Sequence, residues 1–486
     1  MRHKKPMAGA ALIAGGLLSA GLLSSCAAQA GETAASSGRP AAEQSAVEPD
    51  TEQSAVEPVP TSLSAFTGDL SPDAVLAENA DYTTVNDDEW SAAAAVEVTL
   101  SGTGASSASA AVASGGGVVT ITEAGVYRLV GALDGQVVVD AGDEAQVVLI
   151  LDGVDISSDS GSAINVASAD DVGIYLATGS QNTVTDTTTY SADATGAAAV
   201  FSDADLTISG TGALAVTAKS GDGIASSDDL VVLSGQLTVS AFDDALRGKD
   251  SLVVEGGELS LTAAEGDGMK SNQDQDATKG YILITGGTID IQAGDDGVQA
   301  QTDTIITGGT ISVAVADDGI KGEQVVSIAG GTVAVTESLE GIEAVNVAIF
   351  DGSISVASTD DGINASGLND GTQNREADTG ERLEISGGTI AVNAGTDGLD
   401  SNGTITITGG ELTITSANNG GDGPIDANGE ISVADGVTII ANGAEWDPAS
   451  ANRMGGPGGG MPGGGMPGGG QPPTGDFGGP GQAPAT

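Results

Sequence analysis

The sequence predicts an all-β fold: a parallel β-helix, a solenoid winding about 22 residues per coil. The first observation behind it is a short motif of an acid, a Gly or Ala, and an aliphatic. It recurs as GDGI at Gly221, DDAL at Asp243, GDGM at Gly266, DDGV at Asp295, DDGI at Asp317, LEGI at Leu339, DDGI at Asp360, TDGL at Thr396 and GDGPI at Gly421. The second is a turn marker in step with it: GGEL at Gly256 and Gly409, GGTI at Gly286, Gly308 and Gly387, GGTV at Gly330, and DGSI at Asp351. Each marker leads into alternation such as Ile311-Ser312-Val313, a short strand with one buried face. The third is that no apolar pattern of helical length interrupts the repeat.

The second acid of each motif measures the coil. It falls at Asp222, Asp244, Asp267, Asp296, Asp318, Glu340, Asp361, Asp397 and Asp422, with intervals of 22, 23, 29, 22, 22, 21, 36 and 25 residues. Two long intervals carry polar inserts, SNQDQDATKG after Lys270 and GLNDGTQNREADTGE after Ser366. A calcium β-roll would need a nonapeptide GGxGxDxUx period, which is absent, whereas three short strands per coil suit 22 residues.

The ends read differently. Arg2, Lys4 and Lys5 precede an apolar run from Met7 to Leu23, the charge order of a secretory signal, here residues 1–25. The run is too short for a comfortable membrane span. It closes in Leu23-Ser24-Ser25-Cys26, which resembles the bacterial lipobox, so Cys26 is the expected lipidation site and mature N-terminus. Residues 26–75 form an Ala/Ser/Glu/Pro spacer in which EQSAVEP occurs twice. The β-helix is expected over 76–445, and 446–486 is a Gly/Pro/Met-rich tail unable to bury a core. The expected location is the extracellular face of the cell membrane, held by lipid alone.

Composition narrows the chemistry. Cys26 is the one cysteine and His3 the one histidine, so the mature chain has neither a zinc site nor a His-dependent catalytic triad. Removing Arg2, Lys4 and Lys5 from the 14 basic residues leaves 11 against 68 acids, a mature net charge near −57. Nucleic acid would be repelled and hard cations concentrated.

In a stack of coils the second acids form a column. A partial outer column holds Asp243, Asp295, Asp317 and Asp360. Carboxylates about 5 Å apart repel by roughly 3–4 kcal/mol at an effective dielectric of 20, so a compensating charge is required. Protonation could relieve the repulsion, but calcium, with six to eight oxygen ligands and flexible geometry, does so at neutral pH. The expected Ca2+ ligands are Asp222, Asp243, Asp244, Asp267, Asp295, Asp296, Asp317, Asp318, Glu340, Asp360, Asp361 and Asp397. A third column, just after the aliphatic, includes Arg247, Lys270 and Lys321, with Lys249 close by. These four basic residues either compensate the ladder or receive an anionic sugar.

The strings DDALRGKD from Asp243, GDGMKSN from Gly266, GDDGVQA from Gly294 and LEGIEA from Leu339 resemble the bacterial carbohydrate-binding-domain family of pectate-lyase-like β-helix proteins. A stretch from Gly125 to Val154 is similar to that family's first coils. The resemblance covers about residues 85–445. It implies a right-handed β-helix with bound calcium that binds cellulose-like and acidic polysaccharides such as polygalacturonate without demonstrated cleavage. Gly221, Gly266, Leu339, Thr396 and Gly421 depart from it by replacing the first acid. The leading expectation is thus a monomeric, non-catalytic polysaccharide binder. A calcium-dependent polysaccharide lyase, using Arg247, Lys249, Lys270 or Lys321 as base, and a structural adhesin or envelope spacer are the alternatives.

Overall fold

The computed structural model describes residues 66–447 apart from 191–195, 369–376 and 420–421. The expected signal, Cys26, most of the expected spacer and the expected tail from 448 onward lie outside the described residues. Among the described residues, apart from one short helix, Pro72–Glu78, and a single 3-10 turn at Ala92–Ala94, the regular structure is strand.

Strands form where apolar side chains alternate with polar ones. In Glu258–Ala263, Leu259, Leu261 and Ala263 are buried while Glu258, Ser260 and Thr262 face solvent. The next level, Thr288–Ala293, lies in parallel register beside it, pairing Leu259 with Ile289 and Leu261 with Ile291. One circuit of the chain holds three such strands, for example Leu246–Gly248, Ser251–Val254 and Glu258–Ala263. Their inward residues Leu246, Leu252, Val254, Leu259 and Leu261 meet in a single core that runs from Val98 to Ile439.

This architecture corrects the expected right-handed parallel β-helix, a solenoid of about 22 residues per coil. The strands belong to one continuous 36-stranded sheet that shuts round a single apolar core, giving a closed, barrel-like tube. Nor is its order parallel throughout. Antiparallel hairpins occupy the two ends, Val96–Gly102 with Gly104–Ser107 and Ile439–Ala441 with Ala444–Glu445. Residues paired in parallel are also unevenly spaced, from 18 between Val118 and Gln136 to 36 between Ile363 and Leu399. The physical reason is that alternation and period specify strands and neighbours, whereas closure is set by inward side chains that meet across the tube.

The motif glycine is required by this packing. A Cβ on Gly268 would lie 2.2 Å from Ile291 Cγ2 and 2.7 Å from the Gly297 carbonyl oxygen. In the turn marker the need is conformational, with Gly287 at φ +91°.

A strap from Phe66 to about Ala95 lies along the outside of the tube. Leu70 and Val75 are buried against Val231, Val253, Tyr281, Leu283 and Ile305. This covering explains why both faces of strands such as Ser251–Val254 and Tyr281–Ile284 are apolar and buried. Polar contacts pin the strap. The Thr83 N–H donates to Asp229 at 2.9 Å, Asn79 Nδ2 to Asp303 at 2.8 Å, and the Tyr281 hydroxyl to the Ala80 carbonyl at 2.9 Å. Leu70 falls within the stretch read as spacer, so the strap begins before residue 76.

Candidate functional site: the acid ladder

The acid motifs lie at the turn leading into the first strand of each level. Asp222, Asp244, Asp267, Asp296 and Asp318 are buried there, and the backbone uses them. The Asp267 N–H donates to Asp244 Oδ1 at 3.0 Å, the Asp296 N–H to Asp267 Oδ1 at 2.9 Å, and the Asp318 N–H to Asp296 Oδ1 at 2.8 Å. The same bond joins Asp397 to Asp361 at 2.9 Å. One oxygen of each carboxylate therefore pegs the next level in place, and the other is left for a counter-charge.

The outer acids add to this column. Asp243 and Asp295 are exposed, and Asp317 and Asp360 half-buried. Carboxylate oxygens come within 4.8 Å of one another in the groups Asp222/Asp243/Asp244, Asp267/Asp295/Asp296, Asp296/Asp317/Asp318 and Asp318/Glu340/Glu343. Burial, reinforced by the charge of Asp222, pushes the Asp244 carboxyl up to about 7. Asp296 also reaches about 7, mainly through burial. Glu340 reaches about 8 through burial and the neighbouring Glu343.

Three of the four sequence-predicted basic residues are inserted into the ladder. Arg247 Nη2 lies 2.7 Å from Asp222, and Lys270 Nζ lies 2.7 Å from Asp267 and 3.5 Å from Asp244. Lys321 bonds to Asp318 and lies 3.0 Å from Glu343. Burial opposes the charge on Lys270 and Lys321, but the adjoining carboxylates outweigh it and hold both ammonium groups above their ordinary range. Lys249 sits apart, exposed just beyond that strand.

Toward the C-terminal end the third column changes sign, reading Asn364 and Asp400 in register with Glu343. Burial pushes Asp361 up. It raises Asp397 to about 7, with the charge of Asp361 adding to it. Asp400 also reaches about 7, through burial and then the charges of Asp361, Asp397 and Asp426. Among the described residues, no Lys or Arg is named among the causes of these shifts. Asn364, 6% exposed, donates through Nδ2 to Glu340 at 2.9 Å, while its Oδ1 is buried with no hydrogen-bond partner among the described residues. Carboxylates together with a free amide oxygen form an all-oxygen donor set suited to a hard divalent cation.

Asp400, Glu343 and Asn364 were not among the expected ligands. Their signal was the third column's shift from basic to acidic. A second acid group, Asp205, Asp228 and Asp229, is also brought together near the strap. Burial and the charge of Asp229 push Asp205 up to about 7. These acids fall outside the repeating motif, so periodicity could not find them.

A closed tube whose main chain is pegged by a column of acids defines a repetitive, non-helical scaffold with one strongly acidic corner. Comparison specifies the family. Residues 115–372 and 313–452 match the family of carbohydrate-binding domain-containing proteins, and the chain belongs to it. A carbohydrate-binding domain-containing protein of Acetivibrio thermocellus is 39% identical over 187 residues, 37% of this chain. The chain spans 65% of that relative's length. A solved structure, described as a polysaccharide lyase-like protein from C. thermocellum in a gadolinium derivative, is 35% identical. It covers 48% of this chain and 96% of its own, with a TM-score of 0.47.

Proposed function

We propose that the chain is a non-catalytic polysaccharide-binding protein whose acid ladder takes up calcium at the levels lacking a base and holds an acidic glycan through those ions. The observation that carries this reading is the group of Asp361, Asp397 and Asp400, which has no base beside it among the described residues, next to the Asn364 amide oxygen, which has no hydrogen-bond partner among them. Calcium there would satisfy that oxygen, neutralise the carboxylates and leave coordination positions for a uronate carboxylate. Arg247, Lys270 and Lys321 serve as fixed counter-ions at the other levels. Ion-paired and protonated, they are poorly suited to abstract a proton. Membership of a carbohydrate-binding family supports a polysaccharide partner in general.

Calorimetric titration of polygalacturonate into the full chain tests this. Binding is expected in calcium and lost in EGTA, and the double variant Asp397→Asn/Asp400→Asn should lose at least tenfold in affinity. Equal binding with and without calcium would refute the reading. Display outside the cell through lipid on Cys26 belongs to the same proposal. Labelling with a fatty-acid probe should mark the wild type and not Cys26→Ala, and an unlabelled wild type would dismiss the anchor.

A further inference from the structure

Two large apolar side chains stand exposed on the acidic corner, Phe242 at 49% and Leu339 at 42%. Phe242 directly precedes Asp243, and Leu339 occupies the first-acid position beside Glu340. Backbone bonds place both in one stack of turns. The Leu339 N–H donates to Asp317 and the Asp317 N–H to Asp295, the Asp295 N–H donates to Gly266, and the Glu265 N–H donates to Phe242. The register Leu246, Met269, Val298, Ile320, Ile342 sets them four levels apart, about 19 Å at the spacing of paired strands. Nothing in the fold buries either side chain, and exposing them opposes the hydrophobic effect. Beside Leu339, Ser338 is 3% exposed, and its hydroxyl has no hydrogen-bond partner among the described residues. Between the two posts, the buried Oε1 of Gln299 is likewise unpaired.

We infer that this corner is a lengthwise track for one extended polysaccharide chain, with apolar ring faces resting on Phe242 and Leu339 and the intervening sugars meeting the acidic edge. Sugar rings present C–H faces that pack on an aromatic ring, and their hydroxyls can pair with the free Ser338 and Gln299 groups. A disaccharide cannot span both posts, and rings resting on posts about 19 Å apart take about five or six extended sugars. The ligand is thus a chain of that length or longer lying along the tube axis. This rests on the proposed function, because the calcium that would hold the glycan lies at the levels that follow Leu339, where the Asp360 N–H donates to the Leu339 carbonyl and the same sugar chain would continue.

Titration of the full chain in calcium with digalacturonate, tetragalacturonate and hexagalacturonate is the test. Affinity should rise at least tenfold from the dimer to the hexamer. In Phe242→Ala and Leu339→Ala the hexamer should fall toward the dimer's affinity, while the melting temperature and its response to calcium stay unchanged. Equal affinity for dimer and hexamer, or unaltered hexamer binding in both variants, would overturn the track and leave the binding function standing. A wild type that binds neither oligomers nor polygalacturonate would overturn the proposed function, and the track with it.

Discussion

Replacing Lys321 with Met separates the two ways the ladder can be neutralised. Lys321 Nζ joins Asp318 to Glu343 across adjacent levels, and oxygens of Asp318, Glu340 and Glu343 lie within 4.8 Å of one another. Without the ammonium, each carboxylate pair at that separation repels by roughly 3–4 kcal/mol at an effective dielectric of 20. The Lys321 side chain keeps 25% of its surface exposed, so solvent and partial protonation reduce the net loss to about 2–3 kcal/mol. In EGTA near pH 8 that corresponds to a fall in Tm of about 5 °C for a chain this large. The substitution also turns Asp318, Glu340 and Glu343 into a base-free carboxylate group. Calcium should therefore restore most of the loss, and calorimetry should detect additional calcium uptake relative to wild type. A Tm unchanged in EGTA would show that the lysine does not hold the levels together. A loss that calcium leaves untouched would show that cation and ammonium are not interchangeable there.

The raised carboxyls predict a pH dependence of the metal-free protein. Asp244, Asp296, Asp397 and Asp400 titrate near 7 in the folded chain and near 4 when unfolded. Protons then bind the folded state more tightly, and stability should decline as pH rises from about 4 to about 7. Melting scans in EGTA should show this fall and scans in calcium should flatten it, whereas a Tm that rises over the window contradicts the assignment. Gly268→Ala should cost about 3 kcal/mol or more, because its Cβ meets Ile291 and the Gly297 carbonyl; urea unfolding with a loss below about 1 kcal/mol would refute the steric account. Leu70→Ala should loosen the strap by about 2–4 kcal/mol while the tube keeps its melt. Hydrogen exchange confined to residues 66–85 would confirm this, and unchanged exchange there would show that the strap is held otherwise.

Much of this molecule was written into one dimension. Strand length, the period between levels and the alignment of Asp244, Asp267, Asp296 and Asp318 follow from local alternation and motif spacing, which side-chain direction in a strand converts directly into faces and columns. A single histidine, His3, a single cysteine, Cys26, and the excess of acids narrowed the available chemistry by counting alone. The tertiary structure decided the rest. That the sheet shuts round one core depends on Leu246, Leu252 and Leu259 meeting from three strands, a contact no repeat encodes. Whether an acid faces a base or another acid depends on reach between levels. Lys270 stands three residues after Asp267 in sequence, yet it also touches Asp244 one level away. The strap lies over Asp229 and Asp303 from more than a hundred residues away in the chain. Such pairings are set by packing in space, where electrostatic energy depends on distance and burial and not on separation along the sequence.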